Sequence, residues 1–444
     1  MVIKNSKFEY NNFDAIASKL LAVKKVDFGQ KIKIFSGRGR KVIVAMSGGV
    51  DSSVAAVVLK SQGYDVRGVF MHFWTEKSND ELEYHVQNRC CSIEAQEMAR
   101  RVAQKLNIPF YTLNFEKEFK KYVVDYFISE YEADRTPNPC VMCNKWIKFD
   151  FLLSKVKALG ADYLATGHYV IKSEIRNPKS ETNSKLQIRN SKQNVIPSSS
   201  TSLRTGFVEG SHSQEIIYKL FKAKDKNKDQ SYFLYNLTQR QLEHILFPIG
   251  DYTKIQVRAM AKKWGIPSAE RRESQEICFI LEKDYGAFLK RYIRNVKQGK
   301  IIDQSGKIIG QHQGLPFYTI GQRKKIGASF GPYYVFAKDI KKNILYVTND
   351  PKDKRLFSGS LIVEKVNWIS GVAPKLPFNC EVKIRYRTTS EPAQIVKKIK
   401  NNFLIKLKNP VRAATPGQAA VIYKKEELVG GGIILSTFYP LDIK

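Results

Sequence analysis

The residues best suited to chemistry form two groups, one that fits a phosphate and one built on sulfur. The first is Ser47-Gly48-Gly49-Val50-Asp51-Ser52-Ser53, which lies between the apolar runs Val42–Met46 and Val54–Leu59. This pattern predicts a buried strand, a glycine turn and a helix. Such a turn directs backbone N–H groups and the positive end of a helix at an anion. The glycines have no Cβ to hold a phosphate away, and the serines add hydroxyl donors.

Asp51 is the acidic residue of this turn. Its negative charge excludes direct phosphate binding, so we expect it to hold Mg²⁺ or to shape the turn. The turn lacks the Gly-Lys-Ser/Thr ending of a Walker loop. It resembles the loop of the ATP pyrophosphatase superfamily, whose enzymes cleave ATP between the α and β phosphates and adenylate an oxygen. A tight turn without a ligand is the alternative.

The sulfur group begins with Thr136–Lys145, which holds Cys140 and Cys143 in a Cys-x-x-Cys spacing. Its two prolines predict an extended loop before a helix that begins near Lys148. A thiol close to a helix N-terminus and beside Lys145 is expected to be partly thiolate. A second Cys-x-x-Cys is missing, so a structural zinc site would need distant ligands. A half zinc ribbon or an inert pair is the alternative.

Two further residues gain meaning from their position. Cys278, taken alone, is typical of a buried core cysteine. Thr166–Tyr169 follows a short apolar segment predicted to be the fourth strand, at the same sheet edge as the phosphate turn. Gly167 would let a nucleotide approach closely. His168 is either a buried core histidine or a polar contact to substrate.

Composition narrows the class of protein. The 444 residues are 43% hydrophobic and contain no apolar run long enough to span a membrane, and the beginning of the chain has no apolar signal core. A cytoplasmic location is therefore expected. The formal net charge of +32 favours a nucleic-acid partner, although a general bias toward lysine would give the same value. The six cysteines predict no disulfide framework, and we interpret Cys90, Cys91 and Cys380 as structural.

Alternating strand and helix signals after residue 40 predict an α/β fold with a parallel sheet covered on both faces. Later in the chain, short β-branched runs separated by turn residues predict all-β units. The predicted units are an N-terminal extension, a nucleotide-binding catalytic domain with a Ser/Asn-rich insertion at 171–213, a central β-rich domain and a C-terminal β-barrel. Their boundaries are 1–40, 41–283, 284–353 and 354–444.

Together these features resemble one family, the tRNA-specific 2-thiouridylases, or tRNA-uridine 2-sulfurtransferases. The resemblance covers nearly all of residues 41–440. The matching stretches are Ala45–Ser53, Arg135–Phe149, Ala161–Val170, Lys228–Tyr235, Phe247–Gly250, Ile277–Ile280, Gly310–Gly314, Thr319–Arg323, Arg385–Arg387 and Thr415–Gln418. The resemblance implies a PP-loop domain, a small central domain and a C-terminal β-barrel.

The resemblance also implies a role for each matching residue. The implied ATP site comprises Ala45, Met46, Ser47, Gly48, Gly49, Val50, Asp51, Ser52, Met71 and Gly167. Cys143 matches the nucleophile and Cys278 the cysteine that carries a persulfide. The implied contacts to the target base come from Asn138, Pro139 and Cys140. The implied contacts to tRNA come from His168, Lys228, Asp229, Gln230, Arg385, Tyr386 and Gln418.

This family's chemistry suits the two residue groups. Uridine C2 is a poor electrophile, and adenylation of its oxygen by ATP with Mg²⁺ creates AMP as a leaving group. A persulfide on Cys278 can then deliver sulfur, and Cys143 can resolve the bond by forming a Cys143–Cys278 disulfide. The wobble uridine can leave its stack because it lies in an anticodon loop. The expected partners are tRNA and a persulfide donor such as a cysteine desulfurase or a relay protein.

One departure and two rivals stay open. Many family members carry Asp where this chain has Cys140, which puts an acid/base role there in doubt. A second hypothesis has Cys140, Cys143 and Cys278 converge to hold an iron–sulfur cluster with one open iron that binds sulfide. A PP-loop ligase or amidotransferase acting on a small molecule would need neither these cysteines nor a basic β-domain. A non-catalytic tRNA-binding module would be expected to carry a damaged nucleotide turn, whereas this turn is intact.

Overall fold

The computed structural model describes residues 37, 39–76, 92–176, 216–271, 277–280, 285–294, 296–327 and 331–438. The pair Cys90-Cys91, most of the predicted insertion and nearly all of the predicted N-terminal extension lie outside these residues. Among the described helices, none is long and apolar enough to cross a bilayer.

The strands are β1 Lys41–Ala45, β2 Asp65–His72, β3 Phe110–Asn114, β4 Tyr163–Thr166, β5 Val170–Arg176, β6 Ile216–Lys222, β7 Ile245–Leu246, β8 Gly299–Ile302, β9 Ile308–His312, β10 Tyr334–Asp339, β11 Ile344–Thr348, β12 Phe357–Trp368, β13 Phe378–Lys383, β14 Glu391–Ile399, β15 Asn402–Arg412, β16 Ala419–Lys424 and β17 Glu427–Phe438. The α-helices are α1 Val50–Ser61, α2 Ile93–Lys105, α3 Glu116–Phe119, α4 Asp125–Glu132, α5 Pro139–Met142, α6 Leu153–Ala158, α7 Gln239–Leu242, α8 Lys254–Lys263 and α9 Tyr285–Tyr292. Two π-helical segments, Lys120–Val124 and Cys143–Leu152, join α3 to α4 and α5 to α6.

A five-stranded parallel sheet forms the N-terminal unit, in the order β3-β2-β1-β4-β7. Strand β1 is apolar and buried after its first residue because layers of helix cover both faces of the sheet. Strands β2 and β4 flank β1 on opposite sides, so the strand order reverses at β1 and leaves a crevice at the carboxyl ends of these strands. The predicted α/β class is confirmed.

Two further sheets follow. The central sheet has the order β10-β11-β8-β9 and packs on a small core that includes Ile301, Leu345 and Val347. Strands β12, β15, β14, β13, β16 and β17 form a closed barrel, because β12 also pairs with β17.

The hairpin β5–β6 joins the N-terminal unit to the barrel. Its strands pair antiparallel from Val170 to Arg176, and β6 extends the barrel sheet through Phe221, opposite Glu427 of β17. The prediction that an insertion begins at residue 171 is therefore wrong at its start. The β-branched and apolar residues of 170–175 were sufficient for a strand once β6 supplied a partner.

Candidate active site

The predicted phosphate turn leaves backbone donors unused. Gly49 precedes α1 in an extended conformation and, as the N-cap residue, has no side chain to cap the helix, so the first N–H groups of α1 are available to an anion. Gly48 has a φ of +70°, and a Cβ there would lie 2.2 Å from the carbonyl oxygen of Ala95. Ser52 Oγ accepts from Ser47 N at 3.2 Å and donates to the Gly49 carbonyl at 3.1 Å. The serines thus fix the shape of the turn.

Asp51 binds protein groups rather than facing an open metal position. Lys254 Nζ lies 2.7 Å from Asp51 Oδ1 and 2.8 Å from Oδ2, and the Tyr169 hydroxyl donates to Oδ1 at 2.7 Å. Lys254 is only 8% exposed, so this pair is largely shielded from water. Of the two predicted roles for Asp51, the geometry supports shaping the turn.

Two other residues complete the turn's surroundings. Gly167 follows β4, and a Cβ there would lie 2.6 Å from Ser52 N, so only glycine lets the two segments approach this closely. Arg271 Nη1 donates to the Gly48 carbonyl at 3.1 Å. This guanidinium beside the turn was missed by the sequence analysis, because Arg271 lies more than two hundred residues from the turn and no motif around it points there.

A cavity of about 210 Å³ opens beside the turn and joins both groups of chemically suited residues. Its lining comprises Met46, Ser47, Phe70, Met71, Phe73, Phe119, Val123, Pro139, Cys140, Cys143, Asn144, Lys148, Ile277, Cys278 and Phe279. A larger depression of about 510 Å³ runs along α2 and the edge strand β3, but it contains none of the predicted site residues. The smaller cavity is therefore the better candidate for the active site, because the predicted site residues line it.

The helix that carries Cys140 and Cys143 begins earlier than predicted. Asn138 Oδ1 accepts from Val141 N at 3.3 Å and Pro139 occupies the first helical position, so α5 starts there and not near Lys148. Asn-Pro is a favourable cap and first residue, because proline needs no partner for its missing N–H. Cys140 lies in the first turn and Cys143 one turn later.

The two thiols are protonated in this state, contrary to expectation. Burial, with a smaller contribution from Cys278, raises the pKa of Cys140 to about 11, and Lys148 partly opposes it. Burial raises the pKa of Cys143 to about 12, again opposed by Lys148. Cys140 keeps surface that is accessible to solvent, so burial cannot desolvate its thiol completely. Lys145 is not the expected partner, because its ammonium lies 4.8 Å from the centroid of a Trp146 ring.

Asn144 is a second residue that sequence reasoning missed. It lines the cavity, is only 5% exposed, and its Oδ1 has no hydrogen-bond partner among the described residues. A buried acceptor without a donor destabilises a fold by about 1–3 kcal/mol, so such a group in a site points to a ligand that supplies the donor. Asn144 follows Cys140 by four residues, so both lie on one face of the helix, and this spacing could have identified Asn144 from the sequence.

Comparison with known proteins identifies the family of the chain that forms this cavity. A family model described as the tRNA methyl transferase HUP domain matches residues 40–282, and the tRNA methyl transferase PRC-barrel domain matches 286–349. The Aminomethyltransferase beta-barrel domain matches 358–434. The tRNA-specific 2-thiouridylase MnmA of Carboxydothermus hydrogenoformans is 43% identical over 89% of this chain and 97% of its own. The chain belongs to the tRNA-specific 2-thiouridylase family. Relatives of the same name from Roseiflexus sp. (strain RS-1) and Clostridium kluyveri are 42% identical over 89% of this chain and 99% of theirs.

Two of the tRNA contacts implied by this family, His168 and Asp229, are buried in the structure, and their role toward tRNA remains a prediction. His168 is 7% exposed, and its Nδ1 lies 2.7 Å from Thr166 Oγ1. Burial holds the pKa of His168 well below its usual value, and the positive charge of Lys148 adds a smaller lowering, so the ring is neutral. Asp229 is 6% exposed and accepts from Ala223 N and from the backbone and hydroxyl of Ser231. Both are turn-forming groups inside the protein.

The other implied contacts are partly exposed and remain predictions. Gln230 Oε1 accepts from Tyr169 N at 2.9 Å, and Arg385 Nη2 donates to the carbonyl of Ala413 at 2.8 Å. The Tyr386 ring packs against the Phe233 ring, with 4.5 Å between the ring centroids. Lys228 lies in the turn before Asp229, and Gln418 binds backbone carbonyls of the N-terminal unit.

The iron–sulfur hypothesis is not supported. Cys140, Cys143 and Cys278 line the same cavity, yet within the described residues no three His, Cys, Asp or Glu side chains are arranged to hold a metal ion. Cys140 and Cys143 lie close enough to Cys278 for the charges of their thiolates to interact, but they differ in exposure. The cavity therefore presents separate thiols rather than a ligand set.

Proposed function

We propose that this protein uses ATP to replace the C2 oxygen of the wobble uridine of tRNA with sulfur. The observation that carries the proposal is the single cavity that joins the phosphate turn to Cys140, Cys143 and Cys278. Family membership supports it, because the named relatives are tRNA-specific 2-thiouridylases. A ligase acting on a small molecule would have no use for three thiols at the nucleotide site.

The first step is adenylation. The uridine O2 attacks the α phosphorus of ATP and pyrophosphate leaves. The open N–H groups before α1 and the Arg271 guanidinium would hold the phosphates. Mg²⁺ would arrive bound to the nucleotide, because Asp51 is already paired with Lys254. Asn144 Oδ1 would accept the imide N–H of the flipped base, which gives that oxygen its missing donor.

The second step is sulfur transfer. The terminal sulfur of a Cys278 persulfide attacks C2 and AMP leaves, which links the base to Cys278 through a disulfide. Cys143 then attacks Sγ of Cys278, the electron pair of the broken S–S bond stays on the base sulfur as C2=S, and a Cys143–Cys278 disulfide forms. An external thiol must reduce that disulfide before the next cycle. Lys148 assists because it favours the Cys143 thiolate against burial.

Partners follow from this scheme. The persulfide must come from a donor protein, such as a cysteine desulfurase or a relay protein. The charge of +32 suits a polyanion, and Lys228, Gln230, Arg385 and Tyr386 remain the expected tRNA contacts. We expect the reaction in the cytoplasm, where thiols stay reduced.

The test combines two readouts on the purified full chain. With ATP, tRNA transcript and a persulfide source, we expect tRNA-dependent pyrophosphate release and 2-thiouridine by nucleoside mass spectrometry. Cys278→Ser should still bind tRNA but make no thiouridine, whereas Cys380→Ser in β13 should behave as wild type. Nucleotide turnover that ignores tRNA would favour the ligase, and thiouridine from the Cys278→Ser variant would overturn the persulfide route.

A further inference from the structure

The segment of residues 134–138, which lies between α4 and α5 in the N-terminal unit, is bonded to both the central unit and the barrel. Its first residue, Asp134, meets the central sheet, because Lys338 Nζ of β10 lies 3.1 Å from Asp134 Oδ1 and 2.9 Å from its carbonyl oxygen. Both side chains of this pair are 10% exposed. Thr136 Oγ1 lies 3.1 Å from Thr319 Oγ1 of the same central unit.

The barrel holds the segment from the other side. Thr136 N donates to the carbonyl of Pro416 at 2.9 Å. Gln418 Nε2 donates to the carbonyl oxygens of Thr136 and Pro137, at 2.9 and 3.2 Å. Gly417 makes this approach possible, because a Cβ there would lie 2.8 Å from Thr136 N and its φ is +92°.

These contacts lie next to the reactive thiols along the chain. Pro137 and Pro139 have fixed φ angles, which leaves fewer backbone rotations to absorb a shift between Thr136 and the start of α5. Cys140 and Cys143 follow at once on that helix. The position of both thiols in the cavity therefore depends on bonds made by the barrel.

We propose that Gln418 is a positioning residue through which the barrel holds the thiols of α5 in the active-site cavity. A side-chain amide has two N–H donors, and its nitrogen lies within hydrogen-bond distance of two carbonyl oxygens of the segment. Without these bonds the segment opens more often, and α5 then shifts relative to the nucleotide turn. This inference rests on the proposed function.

Hydrogen exchange of the tRNA-free full chain tests the structural half without any need for activity. Gln418→Ala and Gln418→Glu both remove the two donors, and each should speed amide exchange over residues 136–144 about tenfold. The matched control is Gln394→Ala, which removes a barrel glutamine whose Nε2 binds Asn379 Oδ1 at 2.8 Å, away from the segment. Exchange equal to wild type in both Gln418 variants would overturn the proposal.

Kinetics test the functional half. If Gln418 positions α5, the alanine variant should lower kcat for thiolation about tenfold and shift KM for tRNA less than threefold. A tenfold rise in KM with unchanged kcat would make Gln418 a plain tRNA contact and overturn the positioning role. A wild-type enzyme that forms no thiouridine would refute the proposed function, while the exchange result would stand by itself.

Discussion

Lys254→Met should weaken the phosphate turn locally and strongly. The change leaves Asp51 without the cation that now lies 2.7 Å from one carboxylate oxygen and 2.8 Å from the other. Removing one partner of a buried pair costs about 3–5 kcal/mol. The Asp51 side chain is 29% exposed and keeps some hydration, so we expect about 2–3 kcal/mol. At 1.4 kcal/mol per factor of ten, local opening becomes roughly 30- to 140-fold more frequent.

Native-state hydrogen exchange of amides in α1 and α8 measures this opening without assuming that the whole chain unfolds in one step. The matched control is Lys262→Met on the same helix, because Lys262 and Glu270 pair in the open with side chains 63% and 79% exposed. That change should cost no more than ~0.5 kcal/mol. Asp51→Asn in the Lys254→Met background should restore most of the protection. Equal exchange in the Lys254→Met and Lys262→Met variants would refute the reasoning.

Three further outcomes are expected. Alkylation of Cys143 by iodoacetamide, measured by mass spectrometry, should accelerate about tenfold per pH unit from pH 7 to 10, because a pKa of about 12 keeps most of the thiol protonated over this range. A rate that levels off below pH 9 would contradict this pKa. Lys148→Met should slow the alkylation further, because it removes the charge that favours the thiolate. Asn144→Ala should lower kcat/KM for thiolation about 10- to 100-fold. It should not lower Tm, since it removes a buried acceptor that lacks a donor. A lower Tm with unchanged kcat/KM would mean that Asn144 has a structural role only. Affinity for tRNA should fall steeply between 50 and 200 mM salt as counterions re-bind, and a flat response would mean that the charge of +32 is compositional.

Local pattern was enough for the fold and the phosphate turn. The apolar run into β1, the glycines and the first turn of α1 are contiguous, and each fixes its own conformation. The family could also be predicted from the sequence, because each of its motifs is a contiguous stretch of residues.

Residues whose role depends on distant partners were missed or misjudged. Arg271 and Lys254 meet the turn only after folding brings separate helices and loops together. Lys145 is beside the thiols in sequence, but Lys148 is the cation that acts on them, since the helix begins at Pro139. His168 was predicted to be either a core residue or a contact to substrate, and its burial depends on the fold around it rather than on its neighbours in sequence.

The hairpin β5–β6 makes the N-terminal unit and the barrel structurally inseparable. Strand β6 has β5 on one side and β17 on the other, so deleting the C-terminal barrel would strip β6 of a neighbour. The truncated protein would carry an unpaired strand edge with Leu220 and Phe221 at the break, and such edges recruit other chains into aggregates. Attempts to express the nucleotide unit alone should yield insoluble material unless the cut also removes this hairpin.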